Sequence, residues 1–156
     1  MKLEEAIQSS KFVSEKQKAA INVLYTGYWL RSGYSTNLKK EDLTLEQYNV
    51  LRILKGKHPD QMCVKDIAGR TIEKSSNVPR ILDRLVTKKL AKRTPSKEDK
   101  RETLVSLTER GLTILERANE LTWEVTNGIT ALTEEESKQL NELLEKMRME
   151  TQVTNP

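Results

Sequence analysis

Apolar residues along this chain recur mostly at helical spacing, and the breaks between the runs are short. Ile21, Leu24, Tyr25 and Tyr28 fall at i, i+3, i+4 and i+7. That is one face of a helix, predicted over about 14–31, with Ser32 and Gly33 as its stop. Thr44 to Gln47 reads T-L-E-Q, a capping box in which the Thr and Gln side chains satisfy backbone N–H groups that a first turn leaves without partners. The helix it opens carries Tyr48, Leu51 and Leu54 on its apolar face and ends near Gly56 and Pro59. A short helix, VKDIAGR, follows with Val64, Ile67 and Ala68 pointing inward. After the break TIEKS, the spacing of Val78, Ile81, Leu82 and Leu85 predicts a helix over about 76–89. Pro79 falls in its first turn, where a missing N–H costs little.

The period then changes. LAKRT and ETLVSL alternate as short strands, and between them lies PSKEDKR, nearly all charge. This predicts a two-stranded hairpin with a charged tip. Thr108 caps a further helix with Leu112, Leu115, Ala118 and Val125 inside. T-E-E-E at Thr133 to Glu136 is a second capping box, and its acids suit the positive end of a helix dipole. Leu140, Leu143, Leu144 and Met147 form the stripe of the last helix, and the tail TQVTNP is expected to fray. The expected fold class is therefore mainly α, with one β-hairpin.

Composition narrows the picture. The 156 residues favour one domain, but only 36% are hydrophobic and 4% aromatic, so the core is thin and would gain from a second copy. Cys63 is the only cysteine, which excludes an internal disulfide and fits a reducing cytosol. His58 is the only histidine, so a zinc site is not expected. No apolar run approaches the roughly 18 residues of a membrane span. MKLEEAIQSS lacks the apolar stretch of a signal peptide, and the expected location is the cytoplasm. Between Lys65 and Arg101 twelve basic residues stand against five acidic ones, which leaves the remainder three negative within an overall +4. A basic middle between acidic ends points to a polyanionic partner, although a charged stretch by itself more often marks a solvated face.

Short helix, tight turn, longer helix and basic hairpin, in that order, are the layout of a winged helix-turn-helix. A helix can enter the major groove of DNA, where its first turns reach base edges. Here those turns offer Lys74, Ser75, Ser76, Asn77, Arg80 and Arg84, opposite the apolar side. Asn pairs with adenine and Arg with guanine. The hairpin tip offers Lys97, Lys100 and Arg101, which add nothing to a core but suit a phosphate backbone and a narrow minor groove. Asp99 is placed to brace the Arg101 guanidinium. A polar helix face without DNA contact, and a plain surface acid, are the competing readings.

VKDIAGRT, SSNVPRILDRLVTKKLAKR and SKEDKRETLVSLTERG together resemble the MarR family (multiple antibiotic resistance regulators) over about 14–148. The D-K-R of Asp99 to Arg101 followed by L-T-x-x-G at Leu107 to Gly111 is the most specific part. The resemblance implies a single domain over 1–156. Its DNA-binding part would span about 44–110, and its dimerisation helices about 14–31 and 112–150. It also implies an obligate homodimer on a palindromic operator, with Arg101 in the minor groove and repression as the default. Two departures stand out: Lys89 where the family often has Gly, and Pro79 in the recognition helix.

The resemblance also implies a small lipophilic or phenolic ligand for some members. Tyr25, Tyr28, Trp29 and Tyr34 cluster within ten residues and are the candidates to line its crevice, with packing in the dimer core as the favoured alternative. Cys63 does not match the first-helix cysteine of peroxide-sensing relatives and reads as a small buried apolar residue. No phosphate loop, metal cluster or nucleophile motif supports an enzyme or a cofactor. A protein-binding winged helix and a non-specific DNA binder are the remaining alternatives.

Overall fold

Seven α-helices and three short strands make up the described residues of the computed structural model, which are 1–73, 77–99, 102–129 and 131–149. Helix α1 is a single turn, Leu3–Ala6, and α2 runs from Glu15 to Leu38. The Ser14 hydroxyl opens α2 by accepting from the Gln17 N–H at 3.2 Å. The helix continues seven residues beyond Arg31, so Ser32 and Gly33 sit in its interior rather than at its end. Each costs up to about 1 kcal/mol of helix propensity relative to Ala. Burial of Leu38 and packing of Tyr34 against the core outweigh that cost. A 3-10 turn, Lys39–Glu41, and Asp42 in the left-handed region (φ 53°) end it.

Helix α3, Leu45–Lys55, opens with the expected box: the Thr44 hydroxyl accepts from Gln47 N–H at 3.2 Å, and Gln47 Oε1 accepts from Thr44 N–H at 3.3 Å. Helix α4 is Val64–Arg70 and α5 is Val78–Thr87. Asn77 caps α5, so the helix is shorter at each end than the apolar spacing predicts. Pro79 lies in its first turn, as expected. Strands β2 (Ala91–Pro95) and β3 (Thr103–Leu107) form the hairpin. A third strand, β1 (Met62–Cys63), pairs on the far side of β3, giving the antiparallel order β1-β3-β2. Two residues are too few for a strand period to show in the sequence.

The core gathers Val50, Leu51 and Leu54 of α3, Ile67 of α4, Val78, Leu82 and Leu85 of α5 and Val105 of β3. Leu38 closes it from α2, and Leu115 and Ala118 close it from α6, which spans Glu109–Ile129. Each large apolar side chain buried there contributes about 1.5–3 kcal/mol. Tyr48 adds a polar tie, its hydroxyl 2.9 Å from both Asn119 Oδ1 and Thr122 Oγ1.

The L-T-x-x-G signature has a steric cause. The Thr108 hydroxyl donates to the Lys89 carbonyl at 2.7 Å and accepts from Gly111 N–H at 3.0 Å. That draws the first turn of α6 onto the end of α5. A Cβ at residue 111 would lie 2.0 Å from the Leu90 carbonyl oxygen, so only Gly fits. Lys89 itself is left-handed, with φ 59°.

The chain divides into two compact units, 1–125 and 126–156. In the second, α7 (Glu134–Arg148) opens on the second capping box, where the Thr133 N–H and hydroxyl hold the exposed Glu136 carboxyl below its ordinary pKa. Its stripe residues Leu140, Leu143 and Met147 are exposed. Among the described residues no helix is long and apolar enough to cross a membrane.

Candidate nucleic-acid interface

Helix α5 presents three sides. Val78, Leu82 and Leu85 are fully buried and fix its rotation. At about 100° per residue, this puts Arg80 and Thr87 directly opposite the core, with Asp83 and Arg84 on the flanks. All four are exposed. Asn77, Arg80, Ile81 and Arg84 also line a groove of about 360 Å³ shared with Thr44, Glu46 and Gln47 of the α3 entrance and with Glu73. Asn77 carries a structural duty as well, because its Oδ1 accepts from the Arg80 N–H at 3.2 Å. A bidentate contact to adenine would require that cap to open. Lys74, Ser75 and Ser76, the other leading residues singled out from the sequence, lie outside the described residues.

The hairpin tip is organised by a residue the charge pattern does not reveal. Ser96 is buried, and its hydroxyl accepts from the N–H groups of Glu98 at 3.2 Å and Asp99 at 3.3 Å. The Ser96 N–H donates to the Glu102 carbonyl at 3.0 Å and closes the loop. Lys97 and Asp99 are thereby held on an exposed turn. Lys100 and Arg101 lie outside the described residues, and with them the expected Asp99–Arg101 brace. Gln61 Nε2 donates to Thr94 Oγ1 at 2.9 Å and ties the approach to β1 onto β2.

Three cations are engaged by partners on other elements. Arg31 of α2 bridges Glu46 in the first turn of α3 and Glu73 in the turn before α5. Burial pushes the Glu46 carboxyl up, yet its own backbone N–H, the Thr44 hydroxyl and the Arg31 guanidinium outweigh that and hold it below the usual range. Lys88, just past α5, lies 3.0 Å from Asp42 Oδ2 and donates to Gln47 Oε1 at 3.2 Å. Arg93 of β2 reaches Asp83 and the Pro79 carbonyl of α5. Helix and hairpin are thus held as one unit with the α3 entrance.

The four aromatics do not converge. Because α2 continues through them, Tyr25, Tyr28 and Trp29 share one side, while Tyr34 is turned away and packs against the core. Tyr28 is 70% exposed and Trp29 45%. Cys63 is half-buried rather than buried, and its Sγ caps α4 by accepting from Asp66 N–H at 3.4 Å. Among the described residues no group of three or more His, Cys, Asp or Glu side chains is placed to hold a metal.

Comparison with known proteins gives a consistent result. The profile of the family described as Transcriptional regulator SarA/Rot matches residues 32–118. The chain is 35% identical over 126 residues to the HTH-type transcriptional repressor IacR of Pseudomonas putida, covering 76% of this chain and 74% of that one. Among solved structures, a mutant MarR from E. coli complexed with operator DNA matches with a TM-score of 0.75 and 26% identity, covering 89% of this chain and 99% of that one. The S. aureus MepR–DNA complex matches with a TM-score of 0.74 and 25% identity, covering 88% and 97%.

Proposed function

We propose, for a chain that belongs to the SarA/Rot family of transcriptional regulators and has the MarR-like winged-helix fold, that it represses transcription as a homodimer bound to a palindromic operator. It is a sequence-specific DNA-binding regulator, and α5 is the element that enters the major groove. Arg80 and Arg84 read base edges or adjacent phosphates, joined by Lys74, Ser75, Ser76 and Asn77 at the helix entrance. The wing lies along the backbone with Lys97 and Lys100, and Arg101, braced by Asp99, occupies the minor groove. One observation carries this reading: a helix whose buried side is locked into the core turns Arg80 and Arg84 outward, with the hairpin strand β2 tied to its flank through Arg93. Such rigid presentation is what base readout requires.

The related E. coli and S. aureus regulators are DNA-bound in their structures, and the P. putida relative is a repressor, which supports the partner and the sign of regulation. The exposed residues Leu24, Tyr28 and Trp29 on α2, with half-buried Tyr25 among them, support packing against a second copy better than a phenolic ligand. A cytoplasmic location follows from the partner. The family and the relatives compared are transcription regulators.

Fluorescence anisotropy tests the reading. The chain is titrated into duplex from the gene's own upstream region and into random duplex, over a salt series. Upstream duplex should win by about 10³-fold or more, with a steep salt slope. Arg101→Ala should weaken the selected duplex by about tenfold or more. Equal, weak binding to both duplexes would sink the sequence-specific reading.

A further inference from the structure

We propose that Arg93 is a positioning residue that sets the separation between the two DNA-reading elements and cancels a misplaced negative charge beside them. The inference rests on the DNA-reading function proposed above. Asp83 lies on the outward shoulder of α5, between Arg80 and Thr87, and is 61% exposed at its side chain. An acid there faces the approaching phosphates and opposes binding. Arg93 answers it from the neighbouring strand: Nη1 donates to Asp83 Oδ1, and Nη2 donates to the Pro79 carbonyl at 3.1 Å. Pro79 and Asp83 are one turn apart on the same side of α5, so the planar guanidinium spans a single ledge of the helix. On β2, Arg93 stands opposite Val105, which is fully buried, so the strand end of this link is anchored in the core.

The pair is too exposed to matter much for folding, since surface ion pairs contribute little. Its consequence is geometric. The guanidinium fork fixes β2, and through it the hairpin, against the flank of α5. Groove-to-groove register on DNA depends on that distance. Lys in place of Arg keeps the charge but reaches only one acceptor at a time.

The experiment uses the full chain and a duplex that the unsubstituted chain selects from a random-sequence pool, beside random duplex, over a salt series. Arg93→Lys should weaken binding to the selected duplex about tenfold, with the loss falling on the preference over random duplex, and Arg93→Met should add a smaller loss shared by both duplexes as the Asp83 charge is uncovered. The salt slope should stay unchanged, and Arg93→Met combined with Asp83→Asn should bind no more weakly than Arg93→Met alone. A slope smaller by about one, with equal loss on both duplexes, would make Arg93 a phosphate contact and overturn the inference. Full activity of Arg93→Lys would overturn it too. An unsubstituted chain that selects no duplex would overturn the proposed function itself.

Discussion

The winged-helix core and the helices α2 and α7 treat their apolar residues in opposite ways. In the core, Val50, Leu51, Leu54, Ile67, Val78, Leu82, Leu85 and Val105 are all within 2% of complete burial. On α2, Leu24 and Tyr28 are 74% and 70% exposed, and on α7 Leu143 is 64% exposed. Both kinds of helix carry apolar residues at the same spacing. The difference is that the core residues cover one another, while these positions on α2 and α7 have no cover within the single chain's described residues. Large apolar side chains clustered on exposed faces mark an interaction surface. A chain with so few hydrophobic residues completes one small core and leaves the rest to a partner surface, which the proposed second copy supplies.

The largest loss is expected at the turn between the hairpin and α6. Gly111→Ala drives a methyl into the Leu90 carbonyl, at the point where α6 turns onto the end of α5. Neither group belongs to a flexible side-chain end, so the backbone must shift, and a loss of about 3 kcal/mol or more is expected in urea unfolding. Next comes the outer face. Leu24→Glu with Tyr28→Glu removes apolar surface that the single chain does not use. Circular dichroism should keep its helical signal while sedimentation shows monomers. Affinity for a two-half-site duplex should fall about 100-fold through lost bivalency. A dimer that survives both changes would move the interface elsewhere.

A smaller effect sharpens the contrast. Thr44→Ala removes the capping box of α3 and should cost about 1 kcal/mol. The Glu46 carboxyl in that same turn is held below its ordinary value of 4.5. A depressed carboxylate contributes stability that is complete above the unfolded value and lost as pH falls through the folded one. Acid in the range below about 4.5 should therefore loosen the Arg31 bridge between α2 and α3, and Glu46→Gln should flatten that pH dependence of the unfolding midpoint.

Features settled within a few residues were legible in the sequence. The capping boxes at Thr44 and Thr133 act over three residues, and the α3 and α5 stripes repeat every turn, so periodicity finds them. The hairpin follows from alternation around a charged tip. What sequence reading missed depends on distant partners. Helix α2 outruns Ser32 and Gly33 because Leu38 reaches a core assembled from residues far along the chain. Charge counting over 65–101 cannot see that Lys88 is held by Asp42 and Gln47, or Arg93 by Asp83. Ser96 looks like an ordinary turn residue until its hydroxyl is seen gathering two backbone N–H groups. The four aromatics are near in sequence and divergent in space, because the helix that carries them does not stop.

The least disruptive change tests the junction between α5 and the hairpin. Lys89 holds φ 59° in the turn from α5 into β2, a conformation in which a Cβ is strained and Gly is not. Its carbonyl accepts from Thr108, and the Leu90 N–H bonds the Leu85 carbonyl at 2.9 Å, so the turn cannot relax to negative φ without breaking the knot around Gly111. The Gly that similar regulators often carry here, from which Lys89 departs, thereby has a physical cause. Lys89→Gly relieves the strain but increases the entropy of the unfolded chain, and the two effects partly offset. A net gain of about 0.5 kcal/mol is expected in urea unfolding, small beside the effects above but opposite in sign. A loss instead would mean that the Lys89 side chain, exposed in this structure, has a partner in the DNA-free dimer.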